Sequence, residues 1–199
     1  MKVVSIHGIH DNGDDGVDRM GAALAHELGV PHWAPALPKR WAIEDWSFGP
    51  VMADAELVEK RLDASDIVIT HSRGAYVLDV AMREFNASAS DVFMFSPALP
   101  SNLVPGDHGF ERLFIIHNQN DRALKWSRFL PFHPYATFFG GSLGRDGFQL
   151  PPDKHKRIRN IDASECGDGS FLEHSGYWQT PVVMQQWVSM MTHHIAASL

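Results

Sequence analysis

The sequence predicts an α/β fold, in which a mainly parallel sheet of about six strands has helices on both faces. Short apolar runs without alternation, such as Val92–Phe95 and Leu113–Ile116, predict strands that are buried on both sides. Segments with helical periodicity lie between these runs, which is typical of strand–helix–strand units. The chain has 199 residues, and we expect a single domain over residues 1–199 with a sizeable core.

The first half of the chain alternates strands and helices. Val3–Ile6 is a β-rich run, and a Gly- and Asp-rich loop leads from it to a helix that should stop at Gly29. A short strand is expected between residues 30 and 38, and Pro50 can open a second helix. The apolar residues expected on the buried faces of these helices are Val17, Met20, Gly21, Leu24 and Leu28 in the first and Val51, Ala55, Val58 and Leu62 in the second.

The second half continues the same alternation. Strand Ile67–Ile69 leads through a small-residue turn into a helix that ends near Phe85, and residues 86–90 are expected to be a polar linker. After the two buried strands named above, Arg157–Asp162 alternates charged and apolar residues, as an edge strand should. Thr180 and Pro181 are expected to begin the last helix.

An aromatic and Gly-rich insertion covers about residues 126–152. The aromatics of residues 126–139 fit a loop that packs on itself about as well as a cover or apolar wall over a binding site. Residues 140–147 are expected to form a pair of flexible turns. They do not match a phosphate-binding loop, because they lack its lysine and its spacing.

Charge and composition favour some partners and locations over others. The net charge of −7 disfavours nucleic acid and anionic membranes as main partners, since both attract clustered Lys and Arg. Cys166 is the only cysteine, so no internal disulfide can form, and we expect it to be structural or incidental. We see no signal peptide and no apolar run near the roughly 20 residues that a membrane span needs, so the expected location is cytoplasmic. The oligomeric state is left open.

The most informative stretch is Thr70–Gly74. A serine on a strand-to-helix turn adopts a tight backbone conformation that exposes its hydroxyl above the sheet, and small residues must lie two positions to either side. Thr70 and Gly74 stand at those positions around Ser72, so the stretch matches the nucleophile elbow G-x-S-x-G with Thr in place of the first Gly. The alternative is that Ser72 is an ordinary helix N-cap.

Four polar residues follow predicted strands and should gather at one edge of the sheet. His7, Ser72, Asp121 and His174 all lie just after such strands, and ligands of open parallel sheets bind beyond their carboxyl ends. A serine hydroxyl needs a base to take its proton, and the base needs a third group to fix its tautomer. Serine, acid and histidine occur here in that chain order, which is the order of the α/β-hydrolase triad.

Three strings resemble the α/β-hydrolase superfamily, particularly small bacterial serine hydrolases and minimal lipases: Ser5–Ile9, Thr70–Gly74 and Leu172–Tyr177. The resemblance implies a catalytic triad of Ser72, Asp121 and His174. It also implies an oxyanion hole formed by the backbone N–H groups of Ile9 and Arg73. The supporting residues it implies are His7, Gly8, His71 and Gly74.

Several assignments have rivals. Asp162 and Asp107 compete with Asp121 for the role of the acid, and Asp121 would otherwise belong to a local turn. The side chain of Arg73 is expected to be solvated. The acidic loop over residues 11–18 lacks the spacing of an EF-hand, so we expect a solvated loop and no metal site.

The function expected from these residues is hydrolysis of a carboxylic ester or thioester through an acyl-enzyme intermediate, with a small-molecule substrate and no cofactor. One alternative is cleavage of an amide or another acyl bond on the same fold. The other alternative is a catalytically idle hydrolase scaffold used for binding.

Overall fold

Six parallel strands form one sheet in the computed structural model, which describes residues 1–8, 16–38, 48–101, 109–127, 142–149, 156–165 and 174–197. The strands are β1 (Val3–Ile6), β2 (His32–Trp33), β3 (Ile67–His71), β4 (Ala89–Phe95), β5 (Phe110–His117) and β6 (Ile158–Asp162). Their order across the sheet is β2-β1-β3-β4-β5-β6, and each neighbouring pair is parallel. The expected fold class is therefore confirmed, including the edge position of β6.

The helices in the described ranges connect these strands. They are α1 (Gly16–Leu28), α2 (Phe48–Glu59), α3 (Arg73–Phe85), α4 (Arg122–Ser127), α5 (Ser142–Asp146) and α6 (Pro181–Ala196), with 3₁₀ turns at Ala163–Glu165 and Gly176–Trp178. Thr180 is the N-cap of α6, and its side-chain oxygen accepts a hydrogen bond from the Val183 N–H at 3.2 Å. Pro181 follows at the first helical position, where its missing N–H costs nothing. None of the helices described is long and apolar enough to cross a membrane.

Both faces of the sheet are buried, which explains why its strands are apolar without alternation. Val68 packs with α2 and α3 on one face, whereas Ile67 and Ile69 pack with α1 and α6 on the other. Successive residues of a strand point to opposite faces, so a strand between two helical layers needs an apolar residue at every position.

Several elements differ from the sequence-based expectation. Ala89 and Ser90 belong to β4 rather than to a linker, because Ala89 N–H donates to the Gly109 carbonyl at 2.8 Å and Ala89 is in register with Phe110 of β5. Helix α2 begins two residues before Pro50. Residues 142–146 form a helix instead of flexible turns, because Leu143 is fully buried and its N–H donates to the Leu99 carbonyl.

Candidate active site

Ser72 sits in a strained turn between β3 and α3. Its φ is 52° and its ψ is −117°, a backbone conformation that costs a non-glycine residue about 1–3 kcal/mol. The turn is held from β4: the Ser72 N–H donates to the Phe95 carbonyl at 3.1 Å, and the Ser72 carbonyl accepts from the Ala98 N–H at 3.1 Å. Ser72 is half-buried.

The two small-residue positions around Ser72 have different environments. A Cβ on Gly74 would lie 2.1 Å from the carbonyl oxygen of Ile6, so only glycine allows α3 to approach β1 this closely. Thr70 lies inside β3 and is fully buried, so its side chain is accommodated by the strand rather than by the turn. Its hydroxyl has no hydrogen-bond partner among the described residues.

Ser72, His174 and Asp121 form a continuous chain of hydrogen bonds. His174 Nε2 lies 2.9 Å from Ser72 Oγ, and His174 Nδ1 lies 2.7 Å from Asp121 Oδ2. An ionised carboxylate only accepts hydrogen bonds, so His174 Nδ1 carries the hydrogen. In the neutral imidazole Nε2 is then the acceptor, and the Ser72 hydroxyl donates to it.

Asp121 is held in its ionised form at the end of β5. It is fully buried, and burial alone would raise the pKa of the carboxyl. Hydrogen bonds from His174, the Leu124 N–H and the Ser96 hydroxyl outweigh burial, so the pKa of Asp121 is lowered from its ordinary value. The side chain of His174 is 20% exposed and that of Asp121 is not exposed, so water can reach the histidine but not its acid partner.

Ser96 and Tyr177 extend this chain, and the sequence reasoning did not assign either of them to the site. Both are fully buried, and Ser96 Oγ lies 2.7 Å from the Tyr177 hydroxyl. Ser96 also contributes to the low pKa of Asp121, and either hydroxyl can donate in the bond between Ser96 and Tyr177. Burial raises the pKa of Tyr177, which keeps the phenol protonated. One signal existed: Ser96 follows a buried strand, as Ser72 and Asp121 do.

Ser96 also repeats the backbone arrangement of Ser72. Its φ is 43°, and its N–H donates to the Ile116 carbonyl of β5 at 3.0 Å, just as Ser72 bonds to β4. Each of the two serines thus ends one strand and is held by the next strand of the sheet.

The expectation that Arg73 has a solvated side chain is wrong. Its guanidinium donates to Asp54 Oδ2 at 2.7 Å, and both side chains are 3% exposed. Helix α2 packs against α3 and brings Asp54 to this position, which makes burial of the charge possible. The backbone N–H of Arg73 lies in the first turn of α3, where N–H groups have no acceptor within the helix.

The other expected site residues divide between the described and undescribed parts of the chain. His7 is buried, and its Nδ1 donates to the Gly8 carbonyl at 3.0 Å. His71 is also buried, and its Nε2 lies 2.8 Å from the backbone oxygen of His174. Ile9, the other expected oxyanion donor, lies outside the described residues, as do Asp107, Cys166 and most of the aromatic insertion.

Asp162, the rival acid, has other partners. Its carboxylate accepts hydrogen bonds from the backbone N–H of Ser164 at 2.9 Å and from the Ser164 hydroxyl at 2.7 Å. The bond from His174 Nδ1 goes to Asp121 instead. Within the described ranges, no group of three or more His, Cys, Asp or Glu residues is placed to hold a metal ion.

Comparison with known proteins finds matches to solved structures but none by sequence. No family model and no curated protein matches the sequence. A solved structure from Thermoplasma acidophilum, described as a predicted CIB-like hydrolase, aligns with a TM-score of 0.57 at 12% identity, over 98% of this chain and 85% of that one. A putative hydrolase of the alpha/beta superfamily from Xanthomonas campestris pv. campestris aligns at 14% identity over 96% and 98% of the two chains, with a TM-score of 0.46. The likeness to the Thermoplasma acidophilum structure is therefore one of fold, and the fold of this chain is a six-stranded parallel sheet between two layers of helices.

Proposed function

We propose that this protein is a serine hydrolase that cleaves a carboxylic ester or thioester through an acyl-enzyme intermediate. The observation that carries the proposal is the hydrogen-bond chain from Ser72 Oγ through His174 to Asp121, with distances of 2.9 Å and 2.7 Å. Three further features support it: the strained turn at Ser72, the burial of Asp121 and the partial exposure of His174.

The first half of the reaction acylates the serine. Ser72 Oγ attacks the carbonyl carbon of the substrate while His174 Nε2 takes the hydroxyl proton. Asp121 holds the imidazole in place and stabilises its positive charge. His174 then gives the proton to the leaving oxygen or sulfur, the bond to the carbonyl carbon breaks, and the acyl group remains on Ser72.

The second half of the reaction releases the acyl group as a carboxylic acid. Water attacks the acyl carbon while His174 takes one of its protons, and that proton returns to Ser72 Oγ as the acyl–oxygen bond breaks. In both halves the carbonyl oxygen becomes negative. We assign its stabilisation to the backbone N–H of Arg73 and, from the family resemblance, to that of Ile9, at about 3 kcal/mol for each such donor.

A fluorophosphonate probe tests the proposal because it reacts with an activated serine. We expect the wild-type protein to be labelled and Ser72→Ala to remain unlabelled. Ser189→Ala is the matched control, since Ser189 is an exposed serine on α6, and it should be labelled like the wild type. A folded wild-type protein that takes up no label would overturn the proposal and favour an idle scaffold.

The substrate class is tested with chromogenic acyl compounds. We expect p-nitrophenyl esters to be hydrolysed by the wild type and not by Ser72→Ala. A series of acyl lengths then measures the room around the acyl group. Faster cleavage of matching anilides than of the esters would replace the ester assignment with an amide one.

A further inference from the structure

His71 links β3, the strand that leads to Ser72, to the loop that carries His174. It is the last residue of β3 and the neighbour of Ser72 in sequence, yet its side chain contacts a residue 103 positions later. Its Nε2 is 2.8 Å from the backbone oxygen of His174, and the residue is only 3% exposed. A part-buried hydrogen bond therefore joins β3 directly to the main chain of the histidine that contacts Ser72.

The direction of this bond is fixed by chemistry. A carbonyl oxygen only accepts hydrogen bonds, so His71 Nε2 must carry the hydrogen. The ring is also held from its sides: its centroid is 4.7 Å from the His174 ring and 4.8 Å from the Trp178 ring, which meets it edge-on at 87°. These contacts leave His71 in one orientation with its donor aimed at His174.

We propose that His71 is a positioning residue that sets the distance between His174 and Ser72 by anchoring the peptide group of His174. The inference rests on the proposed serine hydrolase function, in which His174 Nε2 must reach Ser72 Oγ while Nδ1 reaches Asp121. Tyr177 holds the same loop through Ser96 three residues further on, whereas His71 acts on the peptide of the base itself. A shift of about 1 Å in a catalytic group can cost about 100-fold in rate.

The competing explanation is that His71 only fills space between the His174 and Trp178 rings. Two substitutions of equal length separate the two roles. His71→Gln can present a side-chain N–H at nearly the reach of Nε2, whereas His71→Met has a similar volume and no donor. Thermal unfolding and near-UV circular dichroism of both variants establish that they are folded.

The kinetic test uses a p-nitrophenyl ester. We expect His71→Met to lower kcat by about 10- to 100-fold with KM nearly unchanged, because binding precedes proton transfer and only the latter needs the aligned base. His71→Gln should recover most of this loss. His26→Met, at an exposed histidine of α1, is the matched control and should behave like the wild type. Wild-type kcat in His71→Met, or an equal loss in both variants, would overturn the inference.

A second measurement does not depend on activity. In ¹⁵N-labelled protein, His71 should appear as the Nε2-protonated tautomer with a slowly exchanging proton, and that proton signal should be lost in His71→Met. A His71 protonated only at Nδ1 would contradict the inference even in an active enzyme. If the wild-type protein takes up no fluorophosphonate, the proposed function fails on its own, and the tautomer still decides whether the anchor exists.

Discussion

Asp121, the acid partner of His174, can be changed to asparagine with almost no change in the shape of the side chain. In Asp121→Asn the amide nitrogen can replace a carboxylate oxygen next to His174 Nδ1, which favours the wrong tautomer of the imidazole. Nε2 then carries the hydrogen and cannot accept the proton of Ser72. We expect kcat for a p-nitrophenyl ester to fall by about 10⁴-fold.

Asp162→Asn is the matched control for this substitution. The Asp162 carboxylate bonds to Ser164 at the end of β6 and not to His174, so ester hydrolysis should stay within a few-fold of the wild-type rate. A large loss in Asp162→Asn with little loss in Asp121→Asn would reverse the assignment of the acid.

Thr70 shows what a five-residue pattern cannot resolve. Thr70 places a β-branched side chain where the elbow pattern has glycine, and such a side chain would crowd the turn if the residue belonged to it. In the structure Thr70 is the fourth residue of β3, and its backbone is in register with Ile6 and Met94 of the neighbouring strands. The close approach that demands glycine occurs instead at Gly74, against the Ile6 carbonyl.

At the scale of elements, one buried ion pair joins α2 to α3, the helix that follows Ser72. Replacing Asp54 by Leu leaves the Arg73 guanidinium buried without its carboxylate, which should lower the free energy of unfolding by about 3–5 kcal/mol. The double variant Asp54→Leu/Arg73→Met should regain most of this loss, because a well-packed apolar pair can replace a buried ion pair. Urea unfolding measures all three proteins.

Glu56→Gln is the control on the same helix. Glu56 pairs with Lys60 at 2.7 Å, but both side chains are largely exposed, so the free energy of unfolding should hardly change. If Asp54→Leu were as mild as Glu56→Gln, the Arg73 charge would have another adequate partner or access to water.

At the scale of the whole molecule, the edge strand β2 makes stability depend on pH. His32 Nε2 lies 2.9 Å from Ser5 Oγ, and the Ser5 hydroxyl donates to Asp18 Oδ1 at 2.5 Å, so His32 must donate to Ser5. Burial lowers the pKa of His32, and the negative charge of Asp18 only partly opposes it. The unfolded chain then binds a proton more readily than the folded one as pH falls below about 6.5.

We therefore expect the free energy of unfolding to decrease as the pH is lowered from about 6.5, until the pH passes the lower pKa of folded His32. His32→Gln keeps an N–H near Ser5 but does not titrate, so the slope should become shallower. Part of it should remain, because the pKa of His194 is lowered as well. Urea unfolding between pH 5 and pH 8 measures the slope, with exposed His26→Gln as control; an unchanged slope in His32→Gln would contradict this origin.

Much of the architecture could be predicted because a strand that is buried on both faces has an apolar residue at every position. Val92–Phe95 and Leu113–Ile116 have no polar position, and both proved to be inner strands. Ala89 and Ser90 are not part of such an apolar run. They belong to β4 only because the carbonyls of Gly109, just before β5, and of Asp66, just before β3, accept hydrogen bonds from their N–H groups, which is a tertiary effect.

Contacts between residues that are distant in the sequence also limit what can be predicted of the candidate site. The order of Ser72, Asp121 and His174 is visible in the sequence because each follows a strand, and the structure brings their side chains together. The partners of Arg73 and Ser96 are not visible, since Tyr177 is 81 residues from Ser96 and no local pattern links Asp54 to Arg73. Periodicity indicates that a residue is buried but does not identify its neighbour.

The paired positive-φ serines have a consequence for protein engineering. Ser72 at the end of β3 is held by Phe95 of β4, and Ser96 at the end of β4 is held by Ile116 of β5. The position of Ser72 thus depends on the ends of three adjacent strands. Transplanting this site to another scaffold would require the same relative positions of β3, β4 and β5. The pentapeptide Thr70–Gly74 alone would lack the neighbouring strands whose hydrogen bonds hold Ser72 at positive φ.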